Sequence, residues 1–126
     1  MKPALLLLAP FAIAACVTTA PPDRGGPPVA TTRIGEPVRV DGLRVVPLAV
    51  LEDSRCPVDV QCIQAGTVRI DARIRREGSV EVRQMELRKP IQVFGRELVL
   101  AEVRPEPRSD RTIAPGDYRF TFEVRP

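Results

Sequence analysis

Three cysteines are the residues of this chain whose type and spacing suggest chemistry: Cys16, Cys56 and Cys62. Histidine is absent, so the commonest general base and metal ligand in proteins is missing. Carboxylates are numerous, but no spacing singles out a pair that could act as acid and base. The sequence therefore predicts that the protein is not an enzyme and needs no cofactor and no metal.

The segment that ends at Cys16 has the pattern of an export signal. Lys2 supplies a positive charge, residues 4–15 form an apolar run, and small residues precede the cysteine. The run is too short to span a bilayer permanently. These features predict that residues 1–15 are a signal peptide, which leaves Cys16 as the first residue of the mature chain.

The four residues Ile13, Ala14, Ala15 and Cys16 resemble the lipobox of bacterial lipoproteins. By this resemblance Cys16 is diacylated on sulfur, and palmitate-type chains anchor the protein in the cell envelope. A single acyl chain gives only reversible binding, so stable anchoring takes more than one. Val17 stands where many Gram-negative lipoproteins have an Asp that retains them at the inner membrane, and the resemblance thus favours the outer membrane, facing the periplasm. The alternative is an ordinary secretory signal cleaved at an Ala-x-Ala site.

The segment after Cys16 has the composition of a tether. Residues 17–33 are rich in Pro, Gly and Thr and offer little apolar surface to bury. Prolines favour extended conformations, so such a segment acts as a semi-rigid spacer. The sequence therefore predicts a lipidated cysteine and tether over residues 16–33 and a folded domain over residues 34–126.

Alternating apolar residues predict that this domain is built from short strands. Asp41-Gly42 lies between alternating aliphatic residues, which is a strong signal for a hairpin with a type I′ turn. In the last strand Phe120 and Phe122 alternate with polar residues and are predicted to point into the core. Apolar residues change parity between Val82 and Met85, which predicts a bulge near Arg83.

Six to eight short strands with regularly spaced turns, and no convincing helix, define the predicted fold class. It is all-β: a small antiparallel β-sandwich, immunoglobulin-like, or a barrel. A domain this small buries a modest fraction of its surface, so one disulfide would help to stabilise it. The net charge of +3 comes from arginines spread among nearly as many acids, which predicts solvated strand faces and no nucleic-acid partner.

Cys56 and Cys62 are expected to form that disulfide, because an exported protein meets an oxidising compartment. Their segment reads Asp-Ser-Arg-Cys-Pro-x-x-Val-x-Cys-x-x-Ala-Gly over residues 53–66. This run resembles a motif of small exported β-rich bacterial proteins and lipoproteins without an established activity. The resemblance implies a class of protein and no chemistry.

A structural role is the first interpretation of this segment. Pro57 would stiffen the loop, Gly66 would supply a special backbone conformation, and Asp53 would cap the turn by accepting bonds from backbone N–H groups. Two chemical alternatives are a redox pair and a metal site completed by carboxylates or by Met85.

The third alternative is a recognition loop, because a braced loop loses little entropy on binding. In it an exposed Arg55 would enter an acidic pocket of a partner. Its candidate residues are Asp53, Ser54, Arg55, Pro57, Asp59 and Gln61.

The predicted function is accordingly that of a non-catalytic, membrane-tethered module of the cell envelope. It would contact the membrane through the lipid on Cys16 and bind or scaffold an envelope protein. The alternative function is that of an inhibitor of an exported hydrolase, acting through the loop at residues 54–62.

Overall fold

A computed structural model of the chain describes residues 27–126 and, ahead of them, only Pro3, Pro10 and Phe11. The predicted signal peptide, the lipobox and most of the predicted tether lie outside the described residues. Among the residues that are described, no helix is long and apolar enough to cross a membrane.

Residues 27–126 contain eight strands and one short 3₁₀ turn at Pro115–Asp117, joined by loops. In chain order the strands are β1 Val29–Thr32, β2 Val38–Val40, β3 Leu43–Asp53, β4 Val68–Arg76, β5 Ser79–Glu86, β6 Ile91–Val93, β7 Arg96–Arg104 and β8 Arg119–Arg125.

The strands form two antiparallel sheets of four strands each. One sheet has the order β1-β8-β7-β6 and the other the order β2-β3-β4-β5. The apolar faces of both sheets contribute to a single core. The predicted all-β fold with two antiparallel sheets is confirmed, and the sheets do not close into a barrel.

Side-chain alternation along the strands builds this core. On β4 the residues Val68, Ile70, Ala72 and Ile74 are fully buried, while the residues between them face outward. On β8 Phe120 and Phe122 are fully buried, as predicted. Removing such apolar surface from water is the main driving force for folding.

Two hairpin turns, the predicted one at Asp41-Gly42 and a second at Phe94-Gly95, have the backbone conformation that a type I′ turn requires, with positive φ at both central residues. Asp41 and Gly42 have φ values of 42° and 85° and connect β2 to β3. Phe94 and Gly95 have φ values of 49° and 74° and connect β6 to β7.

The sandwich begins earlier than the sequence analysis predicts. Strand β1, Val29–Thr32, lies inside the segment assigned to the tether, and it pairs with β8 along its whole length. Thr32 is buried and Ala30 is partly buried against the core. This strand is too short and too polar to stand out in the sequence, and its partner is ninety positions away, as the Thr31–Thr121 hydrogen bond shows.

The predicted bulge near Arg83 is wrong. The register of β5 on β4 runs without a shift from Ser79 to Glu86. The apolar residues of β5 change parity because they lie on both faces of this edge strand. Val82 is on the solvent side and Met85 is in the core. Bulges occur instead in β3, between Pro47 and Ala49 and between Val50 and Glu52, and in β7 between Leu100 and Glu102.

Arg83 lies on the same face of β5 as Met85, but its guanidinium extends to the edge of the other sheet. Its Nη1 donates a hydrogen bond to the backbone oxygen of Gln92 at 3.0 Å, and Glu81 lies 3.4 Å from the same nitrogen. Gln92 belongs to β6, so this bond links the edges of the two sheets.

Candidate functional site

The disulfide loop, defined here as residues 54–67, joins β3 to β4 and contains both remaining cysteines. Cys56 and Cys62 are bonded to each other, with their Cα atoms 5.9 Å apart. The predicted disulfide is therefore confirmed. Met85, the further ligand of the metal alternative, is fully buried in the core.

Ser54 and Thr67 close the base of the loop. The Ser54 backbone N donates to the Thr67 oxygen at 2.8 Å, and the Thr67 backbone N donates to the Ser54 hydroxyl at 3.0 Å. Gly66 sits beside this contact. A Cβ at residue 66 would lie 1.5 Å from the Ser54 carbonyl oxygen, a distance that no side chain can adopt.

Gly66 is thus needed for a reason other than the predicted one. Its φ does not lie in the left-handed region. Glycine is required because the backbone of Ser54 passes too close for any Cβ. The two ends of the loop can approach each other only because residue 66 has no side chain.

A cluster of three side chains holds the loop against the end of the sandwich. Both oxygens of the Asp53 carboxylate accept hydrogen bonds from Arg55, from Nε and from Nη2, at 2.8 Å each. The Tyr118 hydroxyl donates to the same carboxylate at 2.9 Å. Bidentate pairing of this kind is among the stronger polar interactions in proteins.

Arg55 also binds the end of β7. Its Nη1 donates to the Val103 oxygen at 2.7 Å, and its Nη2 donates to the Pro105 oxygen at 3.0 Å. The guanidinium therefore connects β3 to the end of β7, and the Asp53 carboxylate that it binds also accepts from Tyr118, which directly precedes β8.

The environment fixes the charges within this cluster. Burial opposes ionisation of Asp53, but the hydrogen bonds from Arg55 and Tyr118 outweigh burial and hold the pKa of Asp53 below its usual value. Burial and the hydrogen bond to the Asp53 carboxylate raise the pKa of Tyr118 to about 12. At neutral pH Asp53 is therefore an acceptor for Arg55 and Tyr118, and Tyr118 remains a donor.

The expectation of an exposed Arg55 is wrong. Its side chain is only 12% exposed, because Asp53 and two backbone oxygens take up its donors. The expected capping by Asp53 is present only as one long hydrogen bond, since its shorter hydrogen bonds come from the side chains of Arg55 and Tyr118. The bond from the Arg55 backbone N to Asp53 is long, at 3.4 Å.

The outer part of the loop is held by the segment that follows β7. The Ser109 backbone N donates to Asp59 at 2.9 Å, and the Ser109 hydroxyl donates to the other carboxylate oxygen. These bonds lower the pKa of Asp59. The Val58 backbone N donates to the Pro107 oxygen at 3.0 Å, while Pro57 itself is partly buried. Of the predicted recognition residues, Gln61 remains exposed without a role in holding the loop.

The side chains that the loop presents to solvent are instead aliphatic. Ile63 is fully exposed, and Val58 and Val60 are 52% and 43% exposed. None of these three residues is among the predicted recognition residues. The sequence could have indicated them, because they are aliphatic residues in a loop that shows no strand alternation and so has no sheet face on which to bury them.

A groove of about 440 Å³ runs along one side of the disulfide loop. Val58 and Leu87 are among its apolar lining residues, and Arg88, Arg104 and Glu106 are among its polar ones. The exposed aliphatic residues of the loop and this groove, which is lined by both polar and apolar residues, together form the candidate site.

Comparison of the chain with protein families, with curated proteins and with solved structures finds no match.

Proposed function

We propose that this protein is a lipid-anchored, non-catalytic module of the bacterial cell envelope that binds an envelope protein through its disulfide loop. The lipobox at residues 13–16 supports the anchor. The non-catalytic character is supported by the absence of histidine and by the use of Asp53, Arg55 and Tyr118 in bonds to one another.

Full exposure of Ile63 is the observation that carries the binding role. Single exposed aliphatic residues are common on protein surfaces. Here, however, three aliphatic residues share one loop that a disulfide and several hydrogen bonds already hold in place. A partner that covers this loop gains apolar burial and pays little for ordering the loop, because the order is already built in.

An inhibitor of an exported hydrolase is the second candidate, and the same bracing of the loop favours it. Arg55 cannot be the residue that enters a hydrolase pocket while it binds Asp53, Val103 and Pro105. In this role Ile63 would enter an apolar pocket. Hydrolase activity in the presence of the purified protein distinguishes the inhibitor from a scaffold.

Ile63→Asp is expected to abolish binding without changing the fold. A photo-crosslinking amino acid at Gln61, next to the aliphatic residues, should trap the partner in intact cells. Placing a charge at the centre of the apolar contact should remove the crosslinked species, because a buried unpaired charge is costly.

Val29→Asp is the matched control, since Val29 is an exposed aliphatic residue on β1, outside the loop. It should keep the crosslinked species, and both variants should have nearly the same melting temperature as the parent protein. Undiminished crosslinking in Ile63→Asp would remove the loop from the proposed function.

Cys16→Ser is expected to abolish lipid labelling and membrane retention. Cells fed a palmitate analogue should label the parent protein and not the variant, because the thiol is the proposed acceptor. Fractionation should find the variant outside the membrane pellet after salt and carbonate washing. A variant that stays in the washed pellet would contradict the lipid anchor.

A further inference from the structure

Four arginines meet on the outer face of the sheet β2-β3-β4-β5. Arg39, Arg44, Arg73 and Arg75 are all exposed, and we call them the arginine patch. Arg39 lies directly opposite Arg44, and Arg44 lies directly opposite Arg75. Side chains at opposed positions of antiparallel strands are close neighbours. Three strands therefore place guanidinium groups in one row, and Arg73 lies two residues further along β4.

The arginine patch lacks neutralising partners within the described part of the chain. Salt bridges are found there for nine other basic residues, but for none of these four: Arg55, Arg69, Arg83, Lys89, Arg96, Arg104, Arg108, Arg111 and Arg125 are the paired ones. Glu77 borders the patch without forming an ion pair to it. Like charges directly opposite each other oppose folding, so this row is suited to an external anion.

Exposed valines lie beside the arginines and narrow the choice of anion. Val80 is directly opposite Arg75, and Val82 is directly opposite Arg73. These valines are 47% and 58% exposed. Guanidinium groups bind phosphate through paired N–H donors, while neighbouring aliphatic side chains suit the boundary between lipid headgroups and acyl chains. A membrane interface offers both kinds of contact.

The chain also enters the domain beside the arginine patch. The Pro27 oxygen accepts a hydrogen bond from the Asp41 backbone N at 3.1 Å. Asp41 belongs to the turn between Arg39 and Arg44. Residues 17–26 separate Pro27 from Cys16, and a fully extended chain of that length reaches at most about 40 Å. A membrane that holds Cys16 is therefore within reach of the patch.

We propose that the arginine patch docks the domain on the phosphate groups of anionic lipids in the membrane to which Cys16 is anchored. The choice of this membrane rests on the proposed lipid anchor. The disulfide loop begins at the opposite end of β3, roughly 30 Å from the patch at the usual rise per residue. Docking through the patch thus leaves the loop free for a partner.

The test uses the mature chain, residues 16–126, with Cys16→Ser, so that binding to lipid is measured without acylation. All eight strands lie within this chain. It should sediment with vesicles of phosphatidylcholine containing phosphatidylglycerol, should not sediment with pure phosphatidylcholine, and should be released by added salt. Arg44→Gln combined with Arg75→Gln should weaken binding about tenfold or more.

Arg111→Gln combined with Arg125→Gln is the control, because it removes the same charge from exposed sites outside the patch. It should bind much as the parent does. Equal loss in both double variants, or equal binding to both kinds of vesicle, would overturn the proposal. Binding of short-chain polyphosphate with no binding to vesicles would also overturn it and would assign the patch to a soluble phosphorylated ligand. Because the chain carries no lipid, these outcomes are independent of the test of the anchor.

Discussion

Gly66→Ala is expected to lower the free energy of unfolding by about 3–5 kcal/mol. The added Cβ would lie 1.5 Å from the Ser54 oxygen and 2.2 Å from the Ser54 carbonyl carbon. Backbone atoms cannot rotate away as a flexible side chain can. Ser54 must therefore move away from Thr67, which breaks the hydrogen bonds at the base of the disulfide loop. Urea denaturation of the purified domain measures the loss.

Gly116→Ala is the control for this substitution, because a Cβ there meets no atom within 4 Å. It should unfold at nearly the same urea concentration as the parent. If Gly66→Ala matched the control, the close approach of Ser54 to Gly66 would not exist in solution.

Phe120→Ala should destabilise the domain by a similar amount, about 3–5 kcal/mol. Phe120 is fully buried between the sheets, and its ring stacks on Tyr118 with centroids 5.7 Å apart. Truncation loses apolar burial and leaves a cavity. Small domains are stable by only about 5–15 kcal/mol, so we expect a large drop in melting temperature.

Thr121→Ala provides the comparison on the same strand. Thr121 faces outward, and its hydroxyl forms an exposed hydrogen bond with Thr31. Losing that bond should cost about 1 kcal/mol or less. Equal melting temperatures for Phe120→Ala and Thr121→Ala would mean that the inward and outward faces of β8 are assigned wrongly.

Local patterns were sufficient to predict the fold class. The alternation in β8 and the Asp41-Gly42 turn depend on neighbouring residues, and each is confirmed. The disulfide could also be predicted, because Cys56 and Cys62 are close in sequence and each lacks another role. Strand β1 could not be predicted in this way, since its place in the sheet depends on β8 at the other end of the chain.

Features that depend on pairing between distant residues escaped the sequence analysis. Arg75 is distant in sequence from Arg39 and Arg44, and only the register of β4 on β3 brings it into the row that these two residues form across the β2-β3 hairpin. The position of Arg55 depends on Tyr118 and on the end of β7 in the same way. A charged residue in a loop is usually exposed, and the sequence contains no sign that these partners surround it.

The hydrogen bond from Arg83 to Gln92 lies at the edge of the sandwich where a second copy of the chain could add a strand. Strand β5 is eight residues long and lies at the edge of its sheet, where Val80 and Val82 are exposed. Long apolar edges are templates for strand addition and aggregation. Arg83 and Glu81 place charge on the inner side of this edge, and a second copy that added a strand there would have to bury both. The charges beside the contact between the two sheets thereby also oppose polymerisation of the domain through β5.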